Sequence, residues 1–209
     1  QLRTFRAAGL RELLRPSRWK MIHSVATNTL LPHRRLSHLA DLAMSAPNGA
    51  IVECGSYLGG AAALMALSCP EREVWLFDSW EGCPEPTELD VNWIGTAGRT
   101  GDFSASEHET KVFLYKTLGF SPNRVKMVKG WFSETLDGAM KNIGQIGLLH
   151  LDSDWYSSTR EALEATYDYV APGGIVVIDD YGAWKGCKIA VDEFRSSRGI
   201  DQDLNQFDQ

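Results

Sequence analysis

Several patterns that would assign the chain to a common protein class are missing from its 209 residues. Its four cysteines form no Cys-x-x-Cys pair and no zinc-type spacing, which favours reduced thiols and a cytoplasmic location. No apolar run is long enough to span a bilayer, and no signal-peptide pattern, repeat or low-complexity segment is present. A net charge of −6 argues against a general binder of nucleic-acid phosphates. The sequence therefore predicts neither a membrane partner nor a nucleic-acid partner.

What the sequence does contain is the composition of one globular domain, with 44% hydrophobic and 23% charged residues. Short apolar runs alternate with helical patterns, which predicts an α/β fold with a Rossmann-like, doubly wound and mostly parallel sheet. We expect a single domain over residues 1–209. Residues 1–30 form a basic extension whose helix ends or bends near Pro16, and residues 81–101 form a long loop of the lid type. The predicted strands are Ala50–Cys54, Glu73–Phe77, Arg124–Lys129, Ile146–Leu151 and Ile175–Ile178. Before the last strand, the sequence predicts a helix over residues 158–170 with Ser157 as its cap, and then a turn over residues 172–174.

Four aspartates follow two of these strands. Asp152 and Asp154 follow the apolar run Ile146–Leu151, and Asp179 and Asp180 follow the next run. Because ligands bind at the carboxyl edge of an open parallel sheet, we expect these side chains to meet there. Four neighbouring carboxylates repel one another unless a cation lies between them, and hard oxygen ligands suit Mg²⁺. Helix capping or turn formation accounts for one or two of these residues but poorly for all four.

A glycine-rich turn joins the first predicted strand to a helix. From Gly55 its pattern is Gly-x-x-x-Gly-Gly, which differs from the Gly-x-Gly-x-x-Gly of dinucleotide-binding folds. Glu53, just before the turn, suits a cationic amine and repels a phosphate. Asp78, at the end of the second strand, can accept both hydroxyls of a ribose. An amine, a sulfonium and a ribose without phosphate favour S-adenosylmethionine as the cofactor, whereas the alternative is a tight structural turn with a capping aspartate.

Longer stretches around these motifs resemble one enzyme family from about residue 27 to the end. They are HLDSDWYSST from His150, APGGIVVIDDY from Ala171, GCKIAVDEF from Gly186, VECGSYLGG from Val52, LFDSWEG from Leu76, GDFSAS from Gly101 and KGWFSETL from Lys129. Together they resemble the macrocin O-methyltransferases. These enzymes depend on S-adenosylmethionine and Mg²⁺, and they methylate sugar hydroxyls of natural products. The resemblance implies the class I methyltransferase fold.

The resemblance also implies roles for individual residues. It implies that Asp152, Asp179 and Asp180 bind the metal and that Asp154 is the general base. The cofactor-binding residues that it implies are Glu53, Gly55, Tyr57, Gly59, Asp78 and Ser79, with Ser104, Trp131 and Phe132 bordering the adenosyl pocket. The expected protein is thus an S-adenosylmethionine- and Mg²⁺-dependent O-methyltransferase for a glycosylated natural product, and a homo-oligomer.

Other functions remain open at this stage. A catechol-type O-methyltransferase acting on a small diphenol differs only in its acceptor pocket. A non-catalytic adenosylmethionine-binding scaffold is disfavoured because it has no reason to keep four mutually repelling carboxylates. An NAD-linked dehydrogenase is disfavoured because the dinucleotide motif and a Tyr-x-x-x-Lys pair are missing.

Two further side-chain features have competing interpretations. Trp80 and Trp93 either close over the acceptor with the long loop or bury apolar surface. His150 is expected to be a buried packing residue rather than a base.

Overall fold

The computed structural model describes residues 16–207, so most of the predicted N-terminal basic helix, residues 1–15, lies outside the described part of the chain. Its centre is a five-stranded sheet in which every neighbouring pair is parallel, as predicted. The strand order is β3-β2-β1-β4-β5, so the order reverses between β1 and β4. The strands are β1 (Ala50–Cys54), β2 (Val74–Asp78), β3 (Val125–Lys129), β4 (Ile146–Leu151) and β5 (Val170–Ile178).

Helices cover both faces of this sheet. They are α1 (Pro16–Val25), α2 (His33–Ser45), α3 (Gly60–Ser68), α4 (Glu107–Lys111), α5 (Phe132–Ile143), α6 (Tyr156–Thr166) and α7 (Lys185–Arg198). A π-helix, Val112–Thr117, continues α4, and short 3₁₀ turns lie at Ala26–Asn28 and Tyr167–Tyr169. Within residues 16–207, none of the helices has the length and hydropathy needed to cross a bilayer.

Two apolar cores lie on opposite faces of the sheet because successive strand side chains alternate in direction. Ile51 of β1 packs with Leu36 of α2 and Leu64 of α3. Its neighbour Val52 packs on the other face with the core of α5, α6 and α7, which includes Phe194. Both β1 and β4 are buried along their whole length, which explains why they are nearly continuous apolar runs.

Two element boundaries differ from the prediction for physical reasons. The predicted end or bend near Pro16 stays a prediction, because the residues before Pro16 lie outside the described part of the chain. The strand β5 begins at Val170 and includes Pro172, which was predicted to lie in a turn. Its position at the sheet edge makes that proline tolerable. The helix α6 begins at Tyr156, ahead of the predicted cap Ser157.

The long loop over residues 81–101 is tied to the elements that follow the aspartates. Asp90 is fully buried, and its Oδ1 accepts the Tyr156 N–H at the start of α6 at 2.8 Å. The carbonyl of Val91 accepts the Lys185 N–H at the start of α7 at 3.0 Å. Trp93, at the tip of this loop, is 53% exposed. The loop is thus anchored to the starts of α6 and α7, and its action as a lid stays a prediction.

The two tryptophans that the sequence placed with this loop differ in their surroundings. Trp80 is buried, and its indole N–H donates to the Tyr57 carbonyl at 2.9 Å and to Thr110 Oγ1 at 3.2 Å. It is therefore a core residue, as one of the two sequence interpretations expected. Of these two tryptophans, only Trp93 is exposed and could contact a methyl acceptor.

Candidate active site

Three aspartates come together at the carboxyl edge of the sheet. Leu151 of β4 pairs with Ile178 of β5, so the residues that follow them leave the sheet side by side. One carboxylate oxygen from each of Asp152, Asp179 and Asp180 lies within 4.8 Å of the other two. The structure thus assembles the three residues for which the sequence predicts metal binding. We call these three residues the acidic cluster.

The carboxylates of the acidic cluster repel one another, and burial makes their ionised forms unfavourable. Burial raises the pKa of Asp152, and the charges of Asp180 and Asp179 raise it further. Burial and the charge of Asp179 likewise raise the pKa of Asp180 to about 7. A cation placed among these carboxylates removes their repulsion and favours their ionised forms.

A cation from the protein itself already contacts the acidic cluster. Arg35 Nη1 donates a hydrogen bond to Asp179 Oδ2 at 2.9 Å. The Asp179 side chain is 13% exposed, and that of Arg35 is 34% exposed. The sequence assigned no role at the site to Arg35.

Asp154, the predicted general base, lies beside the cluster in an unusual backbone conformation. Its φ of 56° is in the left-handed region, which is uncommon for a residue other than glycine. Its N–H donates to Asp180 Oδ2 at 2.9 Å, and the Cys83 thiol lies 3.8 Å from Asp154 Oδ2. Burial raises the pKa of Asp154, as do the charges of Asp180 and Asp179, which makes its carboxylate a better proton acceptor.

The glycine-rich turn is organised by Asp78. Its Oδ2 accepts the N–H groups of Ser56 at 2.7 Å and Tyr57 at 2.9 Å, and its Oδ1 accepts the Trp80 N–H at 2.6 Å. A carboxylate has about four lone-pair sites, so Asp78 retains acceptor capacity beyond these three bonds. The predicted bond to a ribose therefore stays possible for the side chain and stays a prediction.

A buried pair of charged residues joins β1 to β4 beneath this turn. His150 Nδ1 lies 3.0 Å from Glu53 Oε1, and both side chains are 1% exposed. Burial raises the pKa of Glu53, while His150 partly offsets that effect. Burial lowers the pKa of His150, but the hydrogen bond and charge of Glu53 outweigh it and raise that pKa overall. The expected burial of His150 is confirmed, and the partner explains how it is tolerated.

The other predicted cofactor residues differ in backbone conformation and in exposure. Tyr57 and Gly59 belong to the turn itself and have positive φ angles of 50° and 79°. Ser79 is buried, and its hydroxyl donates to the Gly82 carbonyl at 3.2 Å. Ser104 is exposed, whereas Trp131 and Phe132 are half-buried at the start of α5. Roles for these residues stay predictions.

The side chains at this site fit both Mg²⁺ and S-adenosylmethionine, the two groups expected from the sequence. For a metal, the acidic cluster offers hard oxygen donors, which is the ligand set of Mg²⁺ and similar ions. For S-adenosylmethionine, Glu53 Oε2 is a buried acceptor that finds no hydrogen-bond partner among the described residues. A buried, unpaired carboxylate oxygen is costly, and an ammonium donor would satisfy it.

Sequence reasoning missed three residues of this site. A signal existed for Arg35, because a basic residue in the first turn of a helix opposes the helix dipole. No signal marked Asp90, whose burial depends on how the loop folds back. Cys83 carried no pattern either, since its neighbour Asp154 is 71 positions away.

The chain is similar in sequence to known O-methyltransferases. The family described as macrocin O-methyltransferase (TylF) matches residues 19–209. The tetracenomycin enzyme 8-demethyl-8-(2,3-dimethoxy-alpha-L-rhamnosyl)-tetracenomycin-C 4′-O-methyltransferase of Streptomyces olivaceus is 33% identical over 175 residues. Demethyldecarbamoylnovobiocin O-methyltransferase of Streptomyces niveus is 32% identical over 176 residues. Each match covers 77% of this chain but only 63% of the relative's length.

Solved structures show the same architecture. The O-methyltransferase NovP superposes with a TM-score of 0.72 at 31% identity, covering 87% of this chain and 79% of NovP. The calicheamicin methyltransferase CalS11 superposes with a TM-score of 0.64 at 22% identity, covering 96% of this chain and 92% of CalS11. At that lower identity the likeness to CalS11 concerns the fold alone.

Proposed function

The chain belongs to the macrocin O-methyltransferase (TylF) family, and on that premise we propose that it transfers a methyl group from S-adenosylmethionine to a sugar hydroxyl of a natural product. The observation that carries this proposal is the meeting of the acidic cluster, Asp154 and the glycine-rich turn at one edge of the sheet. The name of the Streptomyces olivaceus relative includes a rhamnosyl group, which supports a glycosylated acceptor.

We assign metal binding to Asp152, Asp179 and Asp180 because their oxygens converge. When bound, Mg²⁺ supplies a Lewis acid for the acceptor oxygens and S-adenosylmethionine supplies an electrophilic methyl group. On the cofactor side, we assign Glu53 Oε2 as the acceptor for the ammonium group, which is supported by its lack of a hydrogen-bond partner among the described residues, and Asp78 holds the turn. The remaining predicted cofactor residues, Gly55, Tyr57, Gly59, Ser79, Ser104, Trp131 and Phe132, keep their assigned roles in this proposal.

Asp154 takes the proton from the acceptor hydroxyl in this mechanism. A sugar hydroxyl holds its proton tightly at neutral pH, so a positioned base would be needed when its oxygen bonds to the methyl carbon. The carbon–sulfur bond of S-adenosylmethionine would break in the same step, and S-adenosylhomocysteine would leave with the sulfur electron pair. The backbone N–H of Asp154 donates to Asp180 Oδ2, and the Asp154 carboxylate lies against the Cys83 thiol. Both contacts restrain the residue. Much of the rate then comes from orientation, for which effective molarities of roughly 10⁵ M or more are known.

Calorimetric titration tests this function on the protein as it exists. S-adenosylhomocysteine and Mg²⁺ are titrated into the wild type, into Asp179→Ala and into Asp168→Ala. Asp168 is a matched control because its carboxylate forms an exposed ion pair with Arg198, away from the acidic cluster. We expect both ligands to bind the wild type and the control, and Mg²⁺ binding to be lost in Asp179→Ala. Failure of S-adenosylhomocysteine to bind the wild type overturns the proposal.

A further inference from the structure

The contact between Arg35 and Asp179 joins an arginine of α2 to a residue of the acidic cluster 144 positions away. The distance from Arg35 Nη1 to Asp179 Oδ2 is 2.9 Å, which is the length of a charge-assisted hydrogen bond. Asp179 is nearly buried, so this ion pair is less screened by water than a surface pair. The methyl-transfer mechanism gives Arg35 no role.

The helix that carries Arg35 begins in an unusual way. The first turn of α2 contains His33, Arg34 and Arg35 and no acidic residue. Partial positive charge from the unpaired N–H groups already accumulates at a helix N-terminus, so basic residues there are normally unfavourable. A local rule broken in this way often marks a functional site. Here the Arg35 guanidinium contacts Asp179 of the acidic cluster.

The negative charge of the acidic cluster explains why an arginine is favourable at position 35. Carboxylates packed this closely repel one another when they are ionised, and one guanidinium offsets one of their negative charges. Arg35 therefore reduces the repulsion within the acidic cluster of the metal-free protein.

We propose that Arg35 is the resident counter-cation of the acidic cluster, which stabilises the metal-free protein and weakens the binding of a divalent cation. This inference rests on the metal site of the proposed function. The positive charge of Arg35 repels a dication that enters the acidic cluster. This repulsion makes the free energy of metal binding less favourable. The metal then binds reversibly to a protein that is folded before the metal arrives.

Arg34 provides a matched control at the adjacent position. Its guanidinium lies over the Phe207 ring, 5.2 Å from the ring centroid. Replacing either arginine by methionine removes one positive charge from the first turn of α2 and keeps a long apolar stem. The change at position 35 also removes the hydrogen bond from Arg35 Nη1 to Asp179 Oδ2. Arg35→Lys keeps the charge and tests whether charge is the property that matters.

The test measures Mg²⁺ affinity by calorimetry and the melting temperature in EDTA, both at pH 8. Arg35→Met should bind Mg²⁺ at least about tenfold more tightly than the wild type, because one unit charge roughly 6 Å from a dication has that effect even at the dielectric constant of water, near 80. It should also melt at a lower temperature than Arg34→Met in EDTA. Arg34→Met and Arg35→Lys should each bind Mg²⁺ within about twofold of the wild type.

Each contrary outcome has a separate meaning. Unchanged or weaker Mg²⁺ binding by Arg35→Met overturns the inference, because Arg35 then positions Asp179 instead of opposing the metal. An equal gain in Arg34→Met overturns it too, since the effect would come from general helix charge. No Mg²⁺ binding by the wild type overturns the metal site of the proposed function, and the competition falls with it.

Discussion

Gly55 of the glycine-rich turn lies directly against the backbone of Asp152, the first residue of the acidic cluster. A Cβ atom on Gly55 would stand 1.7 Å from the Asp152 carbonyl oxygen, a distance that no real side chain tolerates. The Asp152 N–H in turn donates to the Cys54 carbonyl at 2.9 Å. The turn proposed to hold the cofactor and the cluster proposed to hold the metal therefore share one rigid backbone contact.

The first prediction concerns Gly55→Ala. It should destabilise the protein by about 2 kcal/mol or more and weaken S-adenosylhomocysteine binding, because either the turn or Asp152 must move. Gly95→Ala is the control: its φ is 83° against 87° for Gly55, but it has no atom within 4 Å of its added Cβ. Urea denaturation gives the stabilities and calorimetry gives the affinities. Equal losses in both variants would show that backbone strain, and not the contact with Asp152, limits position 55.

The second prediction concerns the buried pair of Glu53 and His150. His150→Leu should cost roughly 3–5 kcal/mol at pH 8, because it leaves the Glu53 carboxylate buried without its histidine partner. Combining it with Glu53→Leu should recover part of that loss, since the double variant buries no charge. A double-mutant cycle in urea measures the coupling. Simple addition of the two single losses would show that the pair does not act as a unit.

The third prediction concerns the anchor of the long loop. Asp90→Asn should cost about 1–3 kcal/mol and increase tryptic cleavage at Arg99, because buried Oδ atoms of Asp90 accept from Tyr156 and Thr87. Glu88→Gln, an exposed acid two positions earlier, is the control and should behave like the wild type. Urea denaturation and limited proteolysis report the two effects. Unchanged stability and cleavage in Asp90→Asn would mean that other contacts hold the loop.

The fourth prediction concerns the pH dependence of the metal-free protein. Burial and Asp179 raise the pKa of Asp180 from 3.8 to about 7, so the folded state keeps a proton that the unfolded state releases between these values. The free energy of unfolding should therefore fall as pH rises through this window. Melting temperatures in EDTA between pH 5 and pH 8 check the slope, which should be shallower in Asp180→Asn. A melting temperature that rises toward pH 8 would contradict this account.

The sequence predicted the fold and the acidic cluster because both depend on short-range patterns. Apolar runs such as Ile146–Leu151 become buried parallel strands, and the aspartates that follow them meet once the strands are neighbours. Each of these residues carries its signal within a few positions of itself.

Contacts between distant elements were beyond the sequence. The pairing of Arg35 with Asp179 depends on where α2 packs, and the burial of Asp90 depends on the path of a long loop. The start of α6 at Tyr156 followed the same logic, because an acceptor from that loop replaced the local cap expected at Ser157. The three cases share one cause: the partner is supplied by packing and not by neighbouring residues.

The most direct measurement is methyl transfer itself. Purified protein, S-adenosylmethionine and a panel of rhamnosylated natural products are incubated with Mg²⁺ or with EDTA, and mass spectrometry follows the acceptors. We predict that the wild type adds one methyl group to a sugar hydroxyl only with Mg²⁺, and that Asp154→Asn slows the reaction by about 10²–10⁴-fold while still binding Mg²⁺ and S-adenosylhomocysteine. Equal transfer in EDTA, or full activity of Asp154→Asn, would contradict the metal-assisted mechanism with Asp154 as the base.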